Sequence, residues 1–183
     1  MILFSRRSRI KNKILGYFFL NGERKAYVNE LARFFESDPK NVYRALILLE
    51  KEDILRSEFR GKERYFFSNR ENPLYNTYKN LFLKTAGLEF VLRERLKNIR
   101  RLSEVYIFGS YAQNNLSEKS DIDILMVGEH NSLEAQKILY KIQKESGREI
   151  NAVHIKPGDL EKKKKSGDQF ITEIFKKPMI KIL

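Results

Sequence analysis

Hydrophobic residues recur at helical spacing in three places near the start of the chain. The first place is Arg9–Leu20, and the dipeptide Asn21-Gly22 is expected to end that helix. A second helix is expected to follow a short extended piece at Tyr27-Val28, with Asn29 as its N-cap. The third is expected over Pro39–Asp53, because proline is favoured at the first helical position. The pattern therefore predicts three helices, the last two joined by a tight turn.

The pattern then changes to strands and returns to helices. Ile54–Phe59 and Arg64–Ser68 have the composition of two strands, and the basic turn between them, Arg60 to Glu63, predicts a hairpin. Helical spacing follows Asn72-Pro73, and Gly87 is expected to separate two helices there. We expect this stretch to be a helical connector.

The last part of the chain alternates between strands and helices. Its pattern predicts three strands, at Glu104–Phe108, Asp121–Val127 and Arg148–Ile155. An amphipathic helix is expected at Asn131–Ser146, before the third strand. A final strand is expected at Met179–Leu183, after two short helical stretches. We therefore predict an α+β fold in which the last part forms a small mixed or antiparallel sheet flanked by helices. The expected domains are residues 1–72, a helical connector over 73–101, and residues 102–183.

The net charge of the chain is +12, and residues 1–101 carry 23 Lys and Arg against 12 Asp and Glu. This imbalance predicts a polyanionic partner for the first part of the chain. There is no cysteine, which excludes disulfides and thiolate metal sites. No apolar run reaches the ~20 residues that a membrane span needs, so we expect no membrane partner. Met1–Phe4 precedes Arg6 and Arg7, the wrong order for a secretory signal, and a cytoplasmic protein is expected.

Two carboxylates stand one residue apart at a predicted buried strand, soon after a Gly-Ser turn. Because strand side chains alternate, Asp121 and Asp123 share one face, where their mutual repulsion calls for a cation or raises a pKa. A hard divalent cation such as Mg²⁺ prefers oxygen ligands. Gly109 lets a backbone come close to a ligand, and Ser110 offers a hydroxyl to a phosphate. These residues together predict a site for a metal and a nucleoside triphosphate.

Gly-Ser, ten intervening residues and Asp-Ile-Asp, flanked by apolar strands, resemble the signature of the nucleotidyltransferase superfamily that includes DNA polymerase beta and kanamycin nucleotidyltransferase. The segment, about residues 102–183, looks most like the minimal nucleotidyltransferases. The resemblance implies that Gly109 and Ser110 hold the triphosphate and that Asp121 and Asp123 bind one or two Mg²⁺ ions. It also implies a third carboxylate on a neighbouring strand, in the stretch GREINAVHI.

Glu149 is the acid available for that third position, and we predict that it is a catalytic residue and a metal ligand. If the position corresponds instead to Asn151, the third ligand is lost. A second departure from the family pattern lies beside the Gly-Ser turn. Many relatives have Arg-Gly where this chain has Gln113-Asn114, so a cation near the phosphates is missing.

The implied reaction transfers a nucleoside monophosphate, AMP from ATP being the expected case, to a hydroxyl of a protein or nucleic acid. An in-line attack on the α-phosphate would release pyrophosphate, with metal ions clamping the displacement. Such domains also resemble the antitoxin half of two-gene toxin–antitoxin systems, in which the toxin is the protein acceptor. The alternative is a DNA-binding transcriptional regulator or antitoxin whose transferase-like domain only binds nucleotide.

The order of elements in LARFFESDPKNVYRALILLEKEDILRSEFRGKERYFF resembles the winged helix-turn-helix regulators of bacteria and archaea, over about residues 8–70. The resemblance implies that Pro39–Asp53 is a recognition helix for duplex DNA. The side chains of that helix that would reach base edges are Lys40, Asn41, Tyr43 and Arg44. The side chains of the wing that would contact phosphates are Arg60, Lys62 and Arg64. A homodimer is expected, because such proteins often read two half-sites. The other possibility is a winged helix used for protein contacts.

Overall fold

A computed structural model describes residues 9–117 and 120–183 of the chain. Residues 1–8, which include the segment considered above for a secretory signal, and residues 118–119 lie outside the described part. The chain divides into two compact units between Phe90 and Val91. No described helix has the length and apolar character that crossing a membrane requires.

The first unit contains helices and a small antiparallel sheet, in the order of elements that the hydrophobic pattern predicts. Its elements are α1 (Arg9–Leu20), β1 (Ala26–Tyr27), α2 (Val28–Phe34), α3 (Pro39–Lys51), β2 (Leu55–Arg60), β3 (Glu63–Ser68) and α4 (Tyr75–Thr85). Strand β3 lies between β1 and β2. A further helix, α5 (Leu88–Leu96), crosses the boundary between the units.

The start of α2 differs from the prediction. The helix begins at Val28, so Asn29 lies within its first turn, and the preceding residue, Tyr27, makes no side-chain capping hydrogen bond. The physical reason is that Tyr27 is paired with Tyr65 of β3, and the chain passes directly from that strand pair into the helix. Pairing in the sheet overrides the preference of Asn for the N-cap position.

Helix α3 begins as its sequence predicts. Asp38 caps it by accepting a hydrogen bond from the backbone N–H of Lys40 at 2.7 Å, and Pro39 is the first helical residue. One face of the helix is buried in the core of this unit, through Val42, Ala45, Leu46 and Leu49. The opposite face is therefore left to solvent.

The second unit is built on a four-stranded mixed sheet. Its elements are β4 (Leu102–Phe108), α6 (Gly109–Ala112), β5 (Ile122–Gly128), α7 (Ser132–Ser146), β6 (Ile150–Ile155), α8 (Pro157–Lys165), α9 (Gln169–Lys176) and β7 (Ile180–Lys181). The strand order is β6-β5-β4-β7. Strand β5 runs parallel to β6 and antiparallel to β4, which in turn is antiparallel to β7. This arrangement agrees with the predicted α+β fold and mixed sheet.

Helices α8 and α9 cover the sheet face that carries the candidate site. Leu125 and Val127 of β5 form a buried cluster with Leu160 of α8 and with Ile171 and Ile174 of α9. Because side chains alternate along a strand, Asp123 of β5 projects to this same side of the sheet, and Asp121 lies immediately before the strand. The site therefore lies at the end of β5 on the side covered by α8 and α9.

Candidate functional site

The Gly-Ser turn and the aspartate pair meet at one end of the sheet. Phe108, the last residue of β4, is in register with Asp123 of β5. Gly109 follows with φ +71°, and a Cβ placed on it would lie 2.4 Å from Oδ2 of Asp123. A side chain at this position would have to displace the Asp123 carboxylate, and the positive φ also favours glycine here. Ser110 is the next residue of the short helix α6.

Asp123 occupies an unfavourable position for an anion. Burial raises the pKa of its carboxyl above the ordinary value, and the charge of Asp121 raises this pKa further. Both effects disfavour the ionised form of Asp123. A bound cation would offset them, because it attracts both carboxylates. The electrostatics of the pair therefore favour a cation at this end of β5.

Asn151, not an acid, stands beside the aspartate pair on the neighbouring strand. It is in register with Asp123, and its Nδ2 donates a hydrogen bond to Oδ2 of Asp121 at 3.1 Å. Glu149 precedes β6, and its side chain is exposed while its backbone carbonyl accepts a hydrogen bond from Ile122 N–H at 2.9 Å. The structure therefore brings together two carboxylates and one amide, and the role of Glu149 stays a prediction.

The donor set can be compared with what Mg²⁺ requires. Across residues 9–117 and 120–183, no group of three or more His, Cys, Asp or Glu side chains is arranged to hold a metal ion. Mg²⁺ typically takes one or two protein carboxylates and completes its coordination with water and substrate phosphates. Asp121 and Asp123 fit that requirement, and the raised pKa of Asp123 shows the electrostatic cost that a cation would relieve.

Helix α9 borders the site, and nothing in the sequence pattern predicts that position for the helix. A cavity of about 200 Å³ is lined by residues of the β4–α6 turn and of α9 and its end: Phe108, Gly109, Gln113, Phe170, Glu173, Ile174 and Lys177. The α9 residues are about 60 positions from the Gly-Ser turn in the chain. Their sequence offers an amphipathic pattern but no signal of a shared site.

The residues predicted to contact DNA lie in the first unit. Lys40, Asn41, Tyr43 and Arg44 are all exposed on α3, as are Arg60 and Lys62 at the hairpin. Arg60 pairs with Glu58 of its own strand. Arg64 is half-buried: it donates hydrogen bonds to Glu50 at 2.7 Å and to Ser57 at 2.9 Å. Arg64 is therefore engaged inside the unit, whereas the α3 side chains face solvent.

Comparison with known families decides what kind of domain the second unit is. The family described as the nucleotidyltransferase domain matches residues 91–182, which is half of the chain. The chain belongs to this family. The matched segment contains both halves of the Gly-Ser and Asp-Ile-Asp signature, so the residues that meet in space also belong to one family domain.

A curated relative of the nucleotidyltransferase domain comes from Methanocaldococcus jannaschii and bears the name "Putative protein adenylyltransferase". It is 37% identical over 65 residues, which are 36% of this chain and 65% of the relative. The chain thus spans slightly less than two thirds of that relative's length. A crystal structure of a "putative nucleotidyltransferase" from Sulfolobus solfataricus has 25% identity, covers 41% of this chain and 68% of that one, and has a TM-score of 0.30. A TM-score of that size does not establish a shared fold.

Proposed function

We propose that the protein transfers a nucleoside monophosphate, AMP from ATP, to a hydroxyl group of a protein or nucleic acid. The observation that carries this proposal is the contact between Gly109 and the Asp123 carboxylate within a nucleotidyltransferase domain. This contact supports the proposal because it brings the Gly-Ser turn next to a carboxylate pair suited to a cation. The name of the Methanocaldococcus relative supports the choice of adenylyl transfer and of a protein as one acceptor.

Each residue of the site has a role in this proposal. Gly109 lets the turn lie against the Asp123 carboxylate, and the Ser110 hydroxyl donates a hydrogen bond to a phosphate oxygen. Asp121 and Asp123 would hold Mg²⁺, which when bound neutralises phosphate charge and lowers the pKa of the acceptor hydroxyl. Asn151 fixes one oxygen of Asp121 through its hydrogen bond at 3.1 Å.

The bonds and protons of the reaction balance without a further reactant. The acceptor oxygen forms a bond to the α-phosphorus, and the bond from that phosphorus to the oxygen bridging to the β-phosphate breaks. Pyrophosphate leaves with that electron pair. The proton of the acceptor hydroxyl goes to the carboxylate of Glu149, which acts as general base. Most of the rate gain comes from positioning and charge stabilisation.

Incubation of the full chain with α-labelled ATP, Mg²⁺ and a cell extract tests the transfer. We expect label on a macromolecule with the wild type and none with the double variant Asp121→Asn/Asp123→Asn. Glutamine at Lys176, which is exposed at the end of α9, serves as a control variant that keeps the activity. If the wild type binds ATP but no macromolecule is labelled, the proposed transferase activity is rejected.

We also propose that the first unit is a winged helix that binds duplex DNA. Its support is the exposed, basic face of α3 together with the hairpin that follows. The full chain should bind duplex DNA with an affinity that falls as salt rises. Arg60→Gln and Lys62→Gln, at exposed positions of the hairpin predicted to contact phosphates, should each lower the salt slope by about 1, whereas Lys51→Gln at the end of α3 should not. Affinity that does not change with salt would reject this proposal.

A second candidate function is favoured by two observations. Asn151, an amide and not a carboxylate, is in register with Asp123, and Gln113 stands where the resemblance implies a cation. Both features suit a regulator that binds nucleotide and metal through this domain without transferring the nucleotide. The labelling experiment separates the two functions, since the regulator retains ATP binding and transfers no label.

A further inference from the structure

One side of α9 faces the cavity beside Gly109. Phe170, Glu173 and Lys177 follow each other at intervals of three and four residues, which brings them to one face at this end of the unit. Ile171 and Ile174 hold the helix to the sheet, because both are buried in the cluster with Leu125. The cavity wall formed by α9 is therefore fixed by the core of the second unit.

Among the described residues that line this cavity, Lys177 alone carries a positive charge. Gln113 lines the same cavity. Its Nζ lies 3.2 Å from Oε2 of Glu173, and the two side chains are 55% and 54% exposed. An ion pair this exposed contributes little to stability and can exchange partners at low cost. Lys177 is thus free to turn toward a stronger anion in the same cavity.

We propose that Lys177 supplies the phosphate-binding cation that Gln113 does not, and that Glu173 competes with the triphosphate for it. The inference rests on the proposed function, since it concerns the nucleotide of that same site. A triphosphate entering beside Gly109 offers several charged oxygens to Lys177, and charge-assisted hydrogen bonds of this kind are the stronger ones. The Glu173 carboxylate repels the same phosphates.

The two residues of this ion pair should affect nucleotide affinity in opposite directions. In titrations of the full chain with ATP and Mg²⁺, Lys177→Gln should raise the Kd for ATP about tenfold, because one charged hydrogen bond is lost. Lys177→Arg should restore most of the affinity. Glu173→Gln should lower the Kd about twofold to threefold, because the competing carboxylate is removed. Loss of packing would not produce this pair of opposite effects.

Lys176→Gln is the matched control, because Lys176 is exposed and is not among the residues that line the cavity. Its Kd for ATP should equal that of the wild type. An unchanged Kd in Lys177→Gln, or weaker binding in Glu173→Gln, would overturn the inference while leaving the proposed function intact. Failure of the wild type itself to bind ATP would overturn both.

Discussion

The backbone of Gly109 lies directly against the carboxylate of Asp123. A Cβ on Gly109 would approach Oδ2 of Asp123 to 2.4 Å, well inside the separation of roughly 3.5 Å at which non-bonded atoms attract. Gly109 also has φ +71°, a conformation that side chains disfavour. The Gly-Ser turn and the Asp-Ile-Asp strand therefore lie directly beside each other.

Gly109→Ala should separate the two halves of that site. The new methyl group has to push the Asp123 carboxylate aside, and a displacement of about 1 Å can lower a rate on the order of 100-fold. The positive φ adds a cost of about 1 kcal/mol in unfolding free energy. Label transfer and thermal unfolding measure the two effects. Gly167→Ala is the control, since Gly167 has φ +69° and nothing within 4 Å of its Cβ position. If both variants lost activity equally, the close contact would not be the cause.

Asp123→Asn should stabilise the metal-free protein while abolishing transfer. The pKa of Asp123 is raised first by burial and then by Asp121, so its anion disfavours the folded state at neutral pH. The neutral amide removes both effects, and Asp121→Asn removes only the second. We expect the unfolding temperature to be highest for Asp123→Asn, lower for Asp121→Asn and lowest for the wild type. Added Mg²⁺ should raise the unfolding temperature of the wild type more than that of either variant. A lower unfolding temperature in metal-free Asp123→Asn would contradict the electrostatic account.

Glu149 and Asn151 can be distinguished by exchanging their chemistry. If Glu149 is the base, Glu149→Gln should lower label transfer about 100-fold or more and leave ATP binding unchanged. Asn151→Asp would add a carboxylate in register with Asp123, and its main effect should be tighter Mg²⁺ binding. Transfer rates and Mg²⁺ titrations measure these effects. Full activity in Glu149→Gln, together with a gain in Asn151→Asp, would assign the third position to residue 151.

A pair of histidines should make the stability of the protein depend on pH. Nε2 of His130 lies 2.8 Å from Nδ1 of His154, and burial lowers the pKa of both below 6.5, with the charge of His130 lowering that of His154 further. Below pH 6.5 the unfolded chain therefore binds more protons at these two histidines than the folded protein does. Stability is full above pH 6.5 and falls as the pH moves down toward the folded pKa values. The double variant His130→Gln/His154→Gln should show a flatter fall of the unfolding temperature between about pH 7 and pH 5. A slope equal to that of the wild type would contradict the assignment.

The elements that local sequence specifies were predicted correctly. Helix α1 has the predicted bounds, because its apolar spacing and the Asn21-Gly22 stop signal act within a few residues. Helix α3 begins at Pro39 for the same kind of reason, with Asp38 as its cap. Asn29 was wrong as an N-cap because Tyr27 pairs with Tyr65, 38 positions further along the chain, and this pair decides where α2 begins.

The site was predicted only in part, for a similar reason. The spacing of Gly109 and Asp123 indicated a shared function, but their contact depends on the register of Phe108 with Asp123, which no local pattern specifies. The register of β6 places Asn151 beside Asp123, and this too depends on pairing between strands. The position of Lys177 depends on how α9 packs against the sheet. Long-range packing, not propensity, decides these contacts.

The central claim is that the α-phosphate of a nucleotide is transferred to another molecule. Parallel incubations of the full chain with α-labelled and γ-labelled ATP, Mg²⁺ and cell extract test it most directly, with Asp121→Asn/Asp123→Asn beside each. We predict label on a macromolecule from α-labelled ATP only, release of the γ-label as pyrophosphate, and neither product with the double variant. Label transferred from γ-labelled ATP, or none from α-labelled ATP while the nucleotide is bound, would contradict it.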